Sequence, residues 1–373
     1  MSDLLENSTV CHVTSVHPWD DIRIFKKEAS STAKHAQKTF LVAANAPDKR
    51  LNNVHVTNVV FPEKYSRLKR ILFLKKRVIQ KALELDADIY HLHDPELLSA
   101  VKQFKRKGKK VVYDSHEDVP KTILSKKWSK VGFLRSFISN LYNSYDKNTC
   151  KKCSGVISVL PEITNKFENK HLETIYNYPF DTASSDRDIS QGLSLIYVGG
   201  LTRIRGIKEI CTAFNLLPSD FKLILVGKWE SEVFRNECLS QISDKTRLTE
   251  TGPVDHETCQ RYIREAHIGL ATLYKEPNYM TSLPIKAYEY ATHQLPVIMS
   301  DIPYWQKEFG SFAEFVDPMN PEDIKEKTLI IKNEYNIYSD KVKSFKEREL
   351  SAKNWSNEEK KLIHFYNQIL KGQ

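Results

Sequence analysis

Short apolar runs of strand length alternate with amphipathic segments of helix length along nearly the whole 373-residue chain. The predicted strands are Thr9–Val16, Thr39–Ala44, Val54–Phe61, Asp88–His93, Lys110–Asp114, Gly155–Leu160, Thr174–Asn177, Leu193–Val198, Lys222–Gly227, Ile268–Leu273, Pro296–Ser300 and Phe312–Val316. The predicted helices are Ile24–Lys38, Tyr65–Leu85, Pro95–Lys107, Gly206–Leu216, Ser231–Ile242, Glu257–Ala266, Pro284–His293, Pro321–Glu334 and Asn357–Leu370. Because alternation of this kind builds parallel sheets covered by helices, two successive halves of it predict two doubly wound α/β domains.

The border between the halves is a polar stretch, rich in small and acidic residues, that runs from Asp181 to Gly192. Such a composition is typical of a linker. We therefore predict a first domain over 1–182, a second over 193–350, and a closing segment over 351–373. Doubly wound domains bind ligands at the carboxyl ends of their strands, so two facing domains predict a central cleft lined by the loops that follow strands.

The positive charge of the chain belongs to its first half. Residues 1–180 carry 31 basic and 19 acidic side chains, whereas residues 181–373 carry 25 and 28. A basic face of this kind suits nucleic acid, an anionic membrane surface or a phosphorylated substrate. The sequence contains none of the usual nucleic-acid modules, so we expect no nucleic-acid partner.

Other global features favour a cytoplasmic protein. No apolar run is long enough for a membrane-spanning helix, and the acidic, polar start Met1–Asn7 does not resemble a secretory signal. The six cysteines are scattered, and Cys150 and Cys153 lack a second pair of ligands at zinc-site spacing. We expect reduced thiols.

A glycine–arginine turn follows the strand that ends at Val198. It comprises Gly199, Gly200, Arg203 and Arg205, and a helix is predicted to begin near Gly206. Glycines allow close approach of a ligand to the backbone, and a helix N-terminus with arginines favours anions. The turn therefore predicts a diphosphate site; the alternative is a plain tight turn with solvated arginines.

A second candidate segment is the predicted helix that begins at Pro284. It carries Lys286 and Glu289, three residues apart. A carboxylate there can accept hydrogen bonds from both hydroxyls of a ribose, and the ammonium can contact a phosphate. The alternative is a surface ion pair.

Two basic stretches, Lys64–Lys81 and Lys121–Lys152, interleave lysines and arginines with apolar residues that include Phe73, Trp128 and Phe137. Basic helices with aromatic side chains can lie in a membrane interface. Ordinary helices with solvated lysines remain the alternative.

The order and spacing of five segments resemble the GT-B glycosyltransferases, specifically the retaining family 4 used in bacterial polysaccharide, O-antigen and capsule assembly. The segments are Val16–Glu28, Asp88–Asp94, Val111–Glu117, Gly199–Gly206 and Pro284–Glu289. The resemblance covers nearly the whole chain. It implies two Rossmann-like domains and transfer of a hexosyl or N-acetylhexosaminyl group, with retention, from a nucleotide-sugar such as a UDP-sugar. The implied acceptor is a polyprenyl-diphosphate-linked or oligosaccharide chain, reached by peripheral binding to the cytoplasmic membrane.

The resemblance also implies roles for individual residues. Glu289 would hold the ribose, Arg205 the donor diphosphate, and His116 would approach the donor sugar. Asp21 and Arg23 would lie on the loop that faces the acceptor. The helix after Trp355 would pack back on the first domain.

Two positions depart from the family pattern. Thr281 stands where the family's first glutamate would be, and Gly200 stands where it has an arginine. Arg203 and Lys286 are candidates to supply the missing charge. With Arg205 and the helix start, these cations would stabilise the leaving diphosphate, so neither a metal nor a cofactor is expected. The predicted catalytic residues are His116, Arg205 and Lys286, and Asp114 or Glu117 could fix the tautomer of His116.

His91 and His93 share a strand face and are expected to be packing residues, although with Asp94 they could be imagined as a metal site. Two other functions remain open at this point. The same fold serves UDP-sugar 2-epimerases, and the substitutions at 200 and 281 leave room for a catalytically degenerate protein.

Overall fold

The computed structural model describes residues 4–61, 73–125, 132–182, 187–190, 192–277 and 279–372. The chain divides into two compact units, Met1–Asn177 with Trp355–Gln373, and Tyr178–Asn354. These borders differ slightly from 182 and 350. The Tyr178 ring packs 5.2 Å from the Tyr288 ring, and Lys346 Nζ donates a 2.7 Å hydrogen bond to Thr182 O, so 178–182 belongs to the second unit.

The described end of the predicted linker also packs on the second unit. The Arg187 guanidinium donates hydrogen bonds to the Ala266 carbonyl at 2.6 Å and the His293 carbonyl at 2.5 Å. Residues 183–186 and 191 of this linker lie outside the described residues.

The first unit contains a sheet of eight strands among its described residues, in the order β3-β4-β2-β1-β5-β6-β7-β8. The strands are β1 Thr9–Val13, β2 Lys38–Ala44, β3 Lys49–Leu51, β4 Val54–Val59, β5 Ile89–Leu92, β6 Lys110–Ser115, β7 Gly155–Ser158 and β8 Leu172–Thr174. All pairs are parallel except the edge pair β3–β4.

The helices of the first unit are α1 Ser30–Thr32, which continues a π-helical segment Ile22–Ala29, α2 Lys75–Glu84, α3 Val101–Arg106, α4 Val119–Ser125, α5 Gly132–Cys150, α6 Pro161–Thr164 and α14 Trp355–Lys371; short 3₁₀ turns occupy Leu4–Asn7 and Pro95–Ala100. Residues 65–72 of the predicted helix Tyr65–Leu85 lie outside the described residues. The first helix ends at Thr32 rather than at Lys38, and β2 begins at Lys38.

The two faces of this sheet differ in polarity. Because side chains alternate along a strand, Cys11 and Tyr90 join the apolar core with α2 and α3, whereas His12, His91 and Asp114 point to the opposite face. The second face is covered by the segment Ile22–Ala29 and by α14, and it buries polar and charged side chains.

The second unit contains a parallel sheet of six strands among its described residues, in the order β11-β10-β9-β12-β13-β14. The strands are β9 Leu193–Val198, β10 Phe221–Val226, β11 Leu248–Gly252, β12 Ile268–Ala271, β13 Val297–Ser300 and β14 Ala313–Val316. The helices are α7 Ile207–Asn215, α8 Glu232–Leu239, α9 His256–Glu265, α10 Ile285–Thr292, α11 Pro303–Phe309, α12 Pro321–Asn333 and α13 Tyr335–Phe345; 3₁₀ turns occupy Arg203–Arg205 and Lys245–Arg247, and Lys346–Leu350 is π-helical.

Each sheet therefore has one point at which the strand order reverses, between β1 and β5 in the first unit and between β9 and β12 in the second. Ligands of doubly wound domains bind at such points, at the carboxyl ends of the strands. None of the helices in the described ranges combines the length and the apolarity needed to cross a membrane.

Candidate active site

The glycine turn of the second domain lies directly at its strand-order reversal. Gly199 follows β9 with φ +131°, and a Cβ on it would lie 2.7 Å from Arg205 Nη1. Gly206, with φ +68°, precedes α7, and a Cβ there would lie 2.4 Å from Thr272 O. Both positions therefore require glycine, whereas a Cβ on Gly200 would make only ordinary contacts, the nearest at 3.7 Å.

Arg205 and Lys286 converge on the end of β9. Arg205 Nη1 lies 3.5 Å from Tyr197 Oη, and Lys286 Nζ lies 3.9 Å from the centroid of the Tyr197 ring. Lys286 Nζ also donates a 2.8 Å hydrogen bond to Val198 O. Burial and the neighbouring Arg205 hold the pKa of Lys286 well below its usual range. An anion beside the glycine backbone would relieve the repulsion between Arg205 and a protonated Lys286, so the arrangement favours an anion.

Arg203 does not join this group. Its guanidinium donates to both carboxylate oxygens of Glu237, one at 3.2 Å, and lies 4.9 Å from the Phe234 ring centroid. Glu237 also accepts from Lys208 at 2.8 Å. The partly buried Glu237 carboxylate therefore already neutralises Arg203 in the absence of a ligand, and a role for Arg203 at the donor diphosphate stays a prediction.

Helix α10 carries the other predicted donor residues. Pro284, expected as its first residue, is the residue before it, with φ −77° and ψ 94°. Glu289 lies one turn after Lys286 and is partly buried. Its negative charge raises the pKa of Lys286, but burial lowers that pKa by more. The loop before α10 is anchored by a 2.7 Å hydrogen bond from Trp305 Nε1 to Ser282 O. Thr281 is exposed on that loop.

In the first domain, Asp21 begins the helical segment Ile22–Ala29. Its Oδ1 accepts from the backbone N–H groups of Arg23 at 2.9 Å and Ile24 at 3.0 Å. Burial would raise the pKa of Asp21, but His17 and the Ile24 N–H lower it to about 2.

An acceptor-side residue is expected to face outward, but Arg23 faces inward. It is 4% exposed, and its Nε and Nη2 donate to Asp114 Oδ2 at 2.9 Å and Oδ1 at 3.0 Å. The reason is helical direction: the Asp21 cap turns the chain so that Arg23 points towards the sheet. Its role in the molecule is to pair with buried carboxylates.

His116 follows β6 at the same edge of the sheet. Its Nε2 lies 2.9 Å from Asp114 Oδ2, and its side chain is 17% exposed while that of Asp114 is fully buried. Asp114, not Glu117, therefore contacts the imidazole. Glu117 Oε2 instead accepts a 3.2 Å hydrogen bond from Thr122 Oγ1.

Two overlapping groups in the first domain present donor atoms of the kinds that metals take, His12–Glu28–His91–His93 and His93–Asp114–His116. Burial is the main reason why the pKa of His93 is lowered to about 4, so its imidazole is neutral at neutral pH. However, Arg23 lies 3.0 Å from Glu28 Oε1 and pairs with Asp114. The guanidinium already supplies the positive charge that these carboxylates attract, which opposes a bound cation.

Two residues of these sites, Glu28 and Tyr197, were not assigned roles from the sequence, and Asp94 was considered only as a metal ligand with His91 and His93. Asp94 Oδ2 accepts from Thr14 Oγ1 at 2.9 Å and Ser15 N at 2.5 Å, which ties β1 to β5 at the strand-order reversal. Glu28 lies fully buried beside Arg23, and Tyr197 underlies Lys286. Asp94 and Tyr197 share one sequence signal: each is a polar residue at the carboxyl end of a predicted strand.

All six cysteines are free, and five are buried. Burial raises the pKa of the Cys11 thiol. Structural thiols of this kind are unreactive.

Residues 29–177 match a family model described as Glycosyltransferase Family 4, and residues 192–331 match one described as Glycosyl transferases group 1. No curated protein matches the chain.

Among solved structures, the chain resembles sucrose-phosphate synthase from Thermosynechococcus elongatus with a TM-score of 0.72 and 16% identity, over 98% of this chain and 100% of that one. A glycosyltransferase from Rickettsia africae gives 0.69 and 13%, over 98% and 100%. Anabaena HepE in complex with UDP-glucose gives 0.67 and 13%, over 97% and 100%. At these identities the likenesses show the fold.

Proposed function

We propose that this chain, in which residues 29–177 match the Glycosyltransferase Family 4 model and residues 192–331 match the Glycosyl transferases group 1 model, is a glycosyltransferase of the GT-B fold and that its donor is a UDP-sugar. We further propose that the acceptor is a lipid-linked or saccharide chain of surface polysaccharide assembly and that the anomeric configuration is retained. The observation that carries the donor assignment is the convergence of Arg205 and Lys286 on Gly199. The Anabaena neighbour, whose structure holds UDP-glucose, supports the choice of nucleotide.

The chemical demand of the reaction is to stabilise a leaving diphosphate. Negative charge develops on it as the glycosyl–phosphate bond breaks, and preorganised cations lower the free energy of that state. Arg205 and Lys286 supply two such cations, and the start of α7 after Gly206 supplies backbone N–H groups. Glu289 would accept the ribose hydroxyls and so orient the donor. We propose that these groups make the transfer independent of a divalent metal.

The first experiment is a thermal-shift and calorimetric panel of UDP, GDP, ADP and CMP with their sugar conjugates, with and without EDTA. We expect UDP and one UDP-sugar to stabilise the protein equally in both conditions. Glu289→Gln should weaken this binding at least about tenfold, because one pair of ribose hydrogen bonds to a carboxylate contributes about 1.5–3 kcal/mol. Glu257→Gln, at an exposed position of α9, is the matched control.

Failure of every nucleotide to bind would contradict the donor site. Product analysis separates the remaining alternatives, because a 2-epimerase would convert the UDP-sugar without any acceptor. Inversion at the anomeric carbon of the product would contradict the proposed retention.

An exposed apolar stripe on α5 supports a lipid-linked acceptor. Phe133, Phe137, Leu141 and Tyr145 recur every four residues and are 81%, 56%, 62% and 41% exposed. The stripe lies in the basic half of the chain. Apolar and aromatic side chains on a helix surface can enter the interface of a bilayer, and the positive charge of this half of the chain favours an anionic one. We propose that this face of α5 binds the membrane. Residues 64–72 and 126–131 of the predicted basic stretches, including Trp128, lie outside the described residues.

Sedimentation with phosphatidylglycerol vesicles and with phosphatidylcholine vesicles tests this proposal. We expect binding to the anionic vesicles, lost at high salt, and reduced at least tenfold in the double variant Phe137→Ser, Leu141→Ser. Ile337→Ser is the control, since Ile337 is 53% exposed but lies in the second domain. Equal binding by both variants would exclude α5 as the membrane surface.

A further inference from the structure

Asp114 is a fully buried carboxylate whose two oxygens are held by a guanidinium. Arg23 Nε donates to Oδ2 at 2.9 Å and Arg23 Nη2 donates to Oδ1 at 3.0 Å. Burial would raise the pKa of Asp114, but the Arg23 guanidinium holds it well below its usual range. The carboxyl is therefore ionised, and it offers only lone pairs to its neighbours.

The imidazole of His116 is the neighbour that reaches the protein surface. Its Nε2 lies 2.9 Å from Asp114 Oδ2. An ionised carboxylate accepts hydrogen bonds and cannot donate one, so Nε2 carries the proton and donates it. A neutral imidazole protonated at Nε2 bears its lone pair on Nδ1. Among the described residues, Nδ1 of His116 has no hydrogen-bond partner.

We propose that Asp114, clamped by Arg23, is the positioning residue of His116: it fixes the Nε2–H tautomer and directs Nδ1 outward as the acceptor for a hydroxyl of the bound sugar. The role of the hydroxyl rests on the proposed glycosyltransferase function. Asp114 itself does not touch substrate.

The clamp is rigid because three elements build it. Arg23 comes from the helical segment Ile22–Ala29, Asp114 ends β6, and Arg23 Nη1 donates a 3.0 Å hydrogen bond to Ile175 O beyond β8. Arg23 Nη2 also lies 3.0 Å from Glu28 Oε1. A bidentate Arg–carboxylate pair with a third anchor fixes the plane of the carboxylate, and hence the direction of its bond to His116.

Two neighbours of His116 could have competed for Nε2, and neither does so strongly. His93 Nδ1 lies 3.4 Å away, farther than Asp114. Glu117, the adjacent carboxylate in sequence, is engaged by Thr122. The geometry therefore selects Asp114.

The direct test is the tautomer. Long-range ¹H–¹⁵N spectra of the full-length, ¹⁵N-histidine-labelled protein would be recorded at mildly alkaline pH, with His116 assigned by the spectrum of His116→Gln. We expect a protonated-type shift for Nε2 and a lone-pair-type shift for Nδ1. The opposite pattern, or a rapidly averaged mixture of tautomers, would overturn the proposal, and this result needs only the wild-type spectrum and the assignment variant.

Variants then test the positioning role. Asp114→Asn should yield a mixed or reversed tautomer of His116, and it should lower kcat about 10- to 100-fold with a smaller change in KM, as for a misplaced hydrogen-bonding imidazole. Glu117→Gln, the matched neighbouring carboxylate, should change neither the spectrum nor kcat. A folded Asp114→Asn protein with wild-type kcat would overturn the role.

Two substitutions of His116 itself test the proposal if Asp114→Asn fails to fold. The amide oxygen of His116→Asn can occupy the place of Nδ1, whereas the amide of His116→Gln extends to the place of Nε2. We expect the asparagine variant to retain more activity, and the reverse order would contradict an outward Nδ1. If no donor is turned over, the proposed function fails while the spectrum still decides the tautomer.

Discussion

At the scale of single residues, the proposed donor site depends on one glycine and two basic side chains whose spacing is set by the fold. Gly199 has φ +131°, a conformation that other residues rarely adopt, and the space its side chain would fill is occupied by Arg205. Gly200, its neighbour, has neither restriction. The chain therefore offers a matched pair of positions.

We predict that Gly199→Ala weakens UDP binding at least about tenfold, because the new methyl group must displace the Arg205 guanidinium from the site. Gly200→Ala should bind UDP within about threefold of wild type. Isothermal titration of both variants checks this difference. Equal affinities would show that Arg205 does not act at the end of β9.

The pKa of Lys286 gives a second prediction at this scale. Burial and Arg205 lower that pKa in the free protein, and a bound diphosphate would raise it again by attraction. Between the two pKa values UDP binding therefore takes up a proton and tightens as the pH falls. Calorimetry in two buffers of different ionisation enthalpy measures the uptake, and it should vanish in Lys286→Met. Persistent uptake in that variant would assign the proton elsewhere.

At the scale of elements, local capping decides which side chains enter the first domain's site. The Asp21 cap sets the start of the segment Ile22–Ala29, and that start turns Arg23 inward to Asp114. The sequence predicts a helix that begins at Ile24, so Arg23 was expected on the preceding loop, which by family resemblance faces the acceptor; in the structure the helical segment begins at Ile22 and includes Arg23.

We predict that Asp21→Ala lowers the free energy of unfolding by about 1 kcal/mol, since two backbone N–H groups lose their acceptor. Asp20→Ala, at the exposed neighbouring position, should cost far less. Because the folded pKa of Asp21 is about 2, its contribution is complete above its unfolded pKa and is lost as the pH falls towards 2. Urea unfolding of both variants at neutral and acidic pH checks the cost and its sign.

At the scale of the whole molecule, the first domain buries an unusual layer of imidazoles between a parallel sheet and α14. His12 Nδ1 lies 3.0 Å from His93 Nε2, and His91 Nδ1 lies 2.6 Å from Tyr366 Oη. Burial, first of all, lowers the pKa of each of these three histidines. Burial likewise raises the pKa of Glu28. Burial therefore favours the neutral form of these three imidazoles.

This layer predicts an acid-sensitive fold. Below about pH 6.5 the three imidazoles become protonated in the unfolded chain but stay neutral in the folded protein. The free energy of unfolding therefore falls as the pH drops from 6.5 towards 4. Above pH 4.5, Glu28 binds a proton more readily in the folded protein than in the unfolded chain, so it raises the free energy of unfolding as the pH falls. This one carboxyl opposes the effect of three imidazoles.

Each proton difference contributes about 1.4 kcal/mol per pH unit. We expect His93→Gln to reduce the slope of unfolding free energy against pH in this window. His364→Gln, at an exposed position of α14, should leave the slope unchanged. Identical slopes for both variants would show that the buried layer is not the cause.

The alternation of apolar runs and amphipathic segments was enough to predict two parallel α/β domains, because strand–helix periodicity reflects burial directly. It predicted the central strands well. It missed β3 and β11, and it placed β8 two residues late, because these strands lie at or near sheet edges where polar residues are tolerated.

The sequence by itself also determined the residue types that a diphosphate site needs, the glycine turn and the lysine–glutamate helix, because those follow from local spacing. Only the tertiary structure decided which of them meet. Lys286 joins Arg205 over Tyr197, Arg203 is taken by Glu237, and Arg23 turns inward to Asp114. The physical reason is that an ionic partner distant in the chain is selected by strand order and helix phase, which a single sequence does not specify.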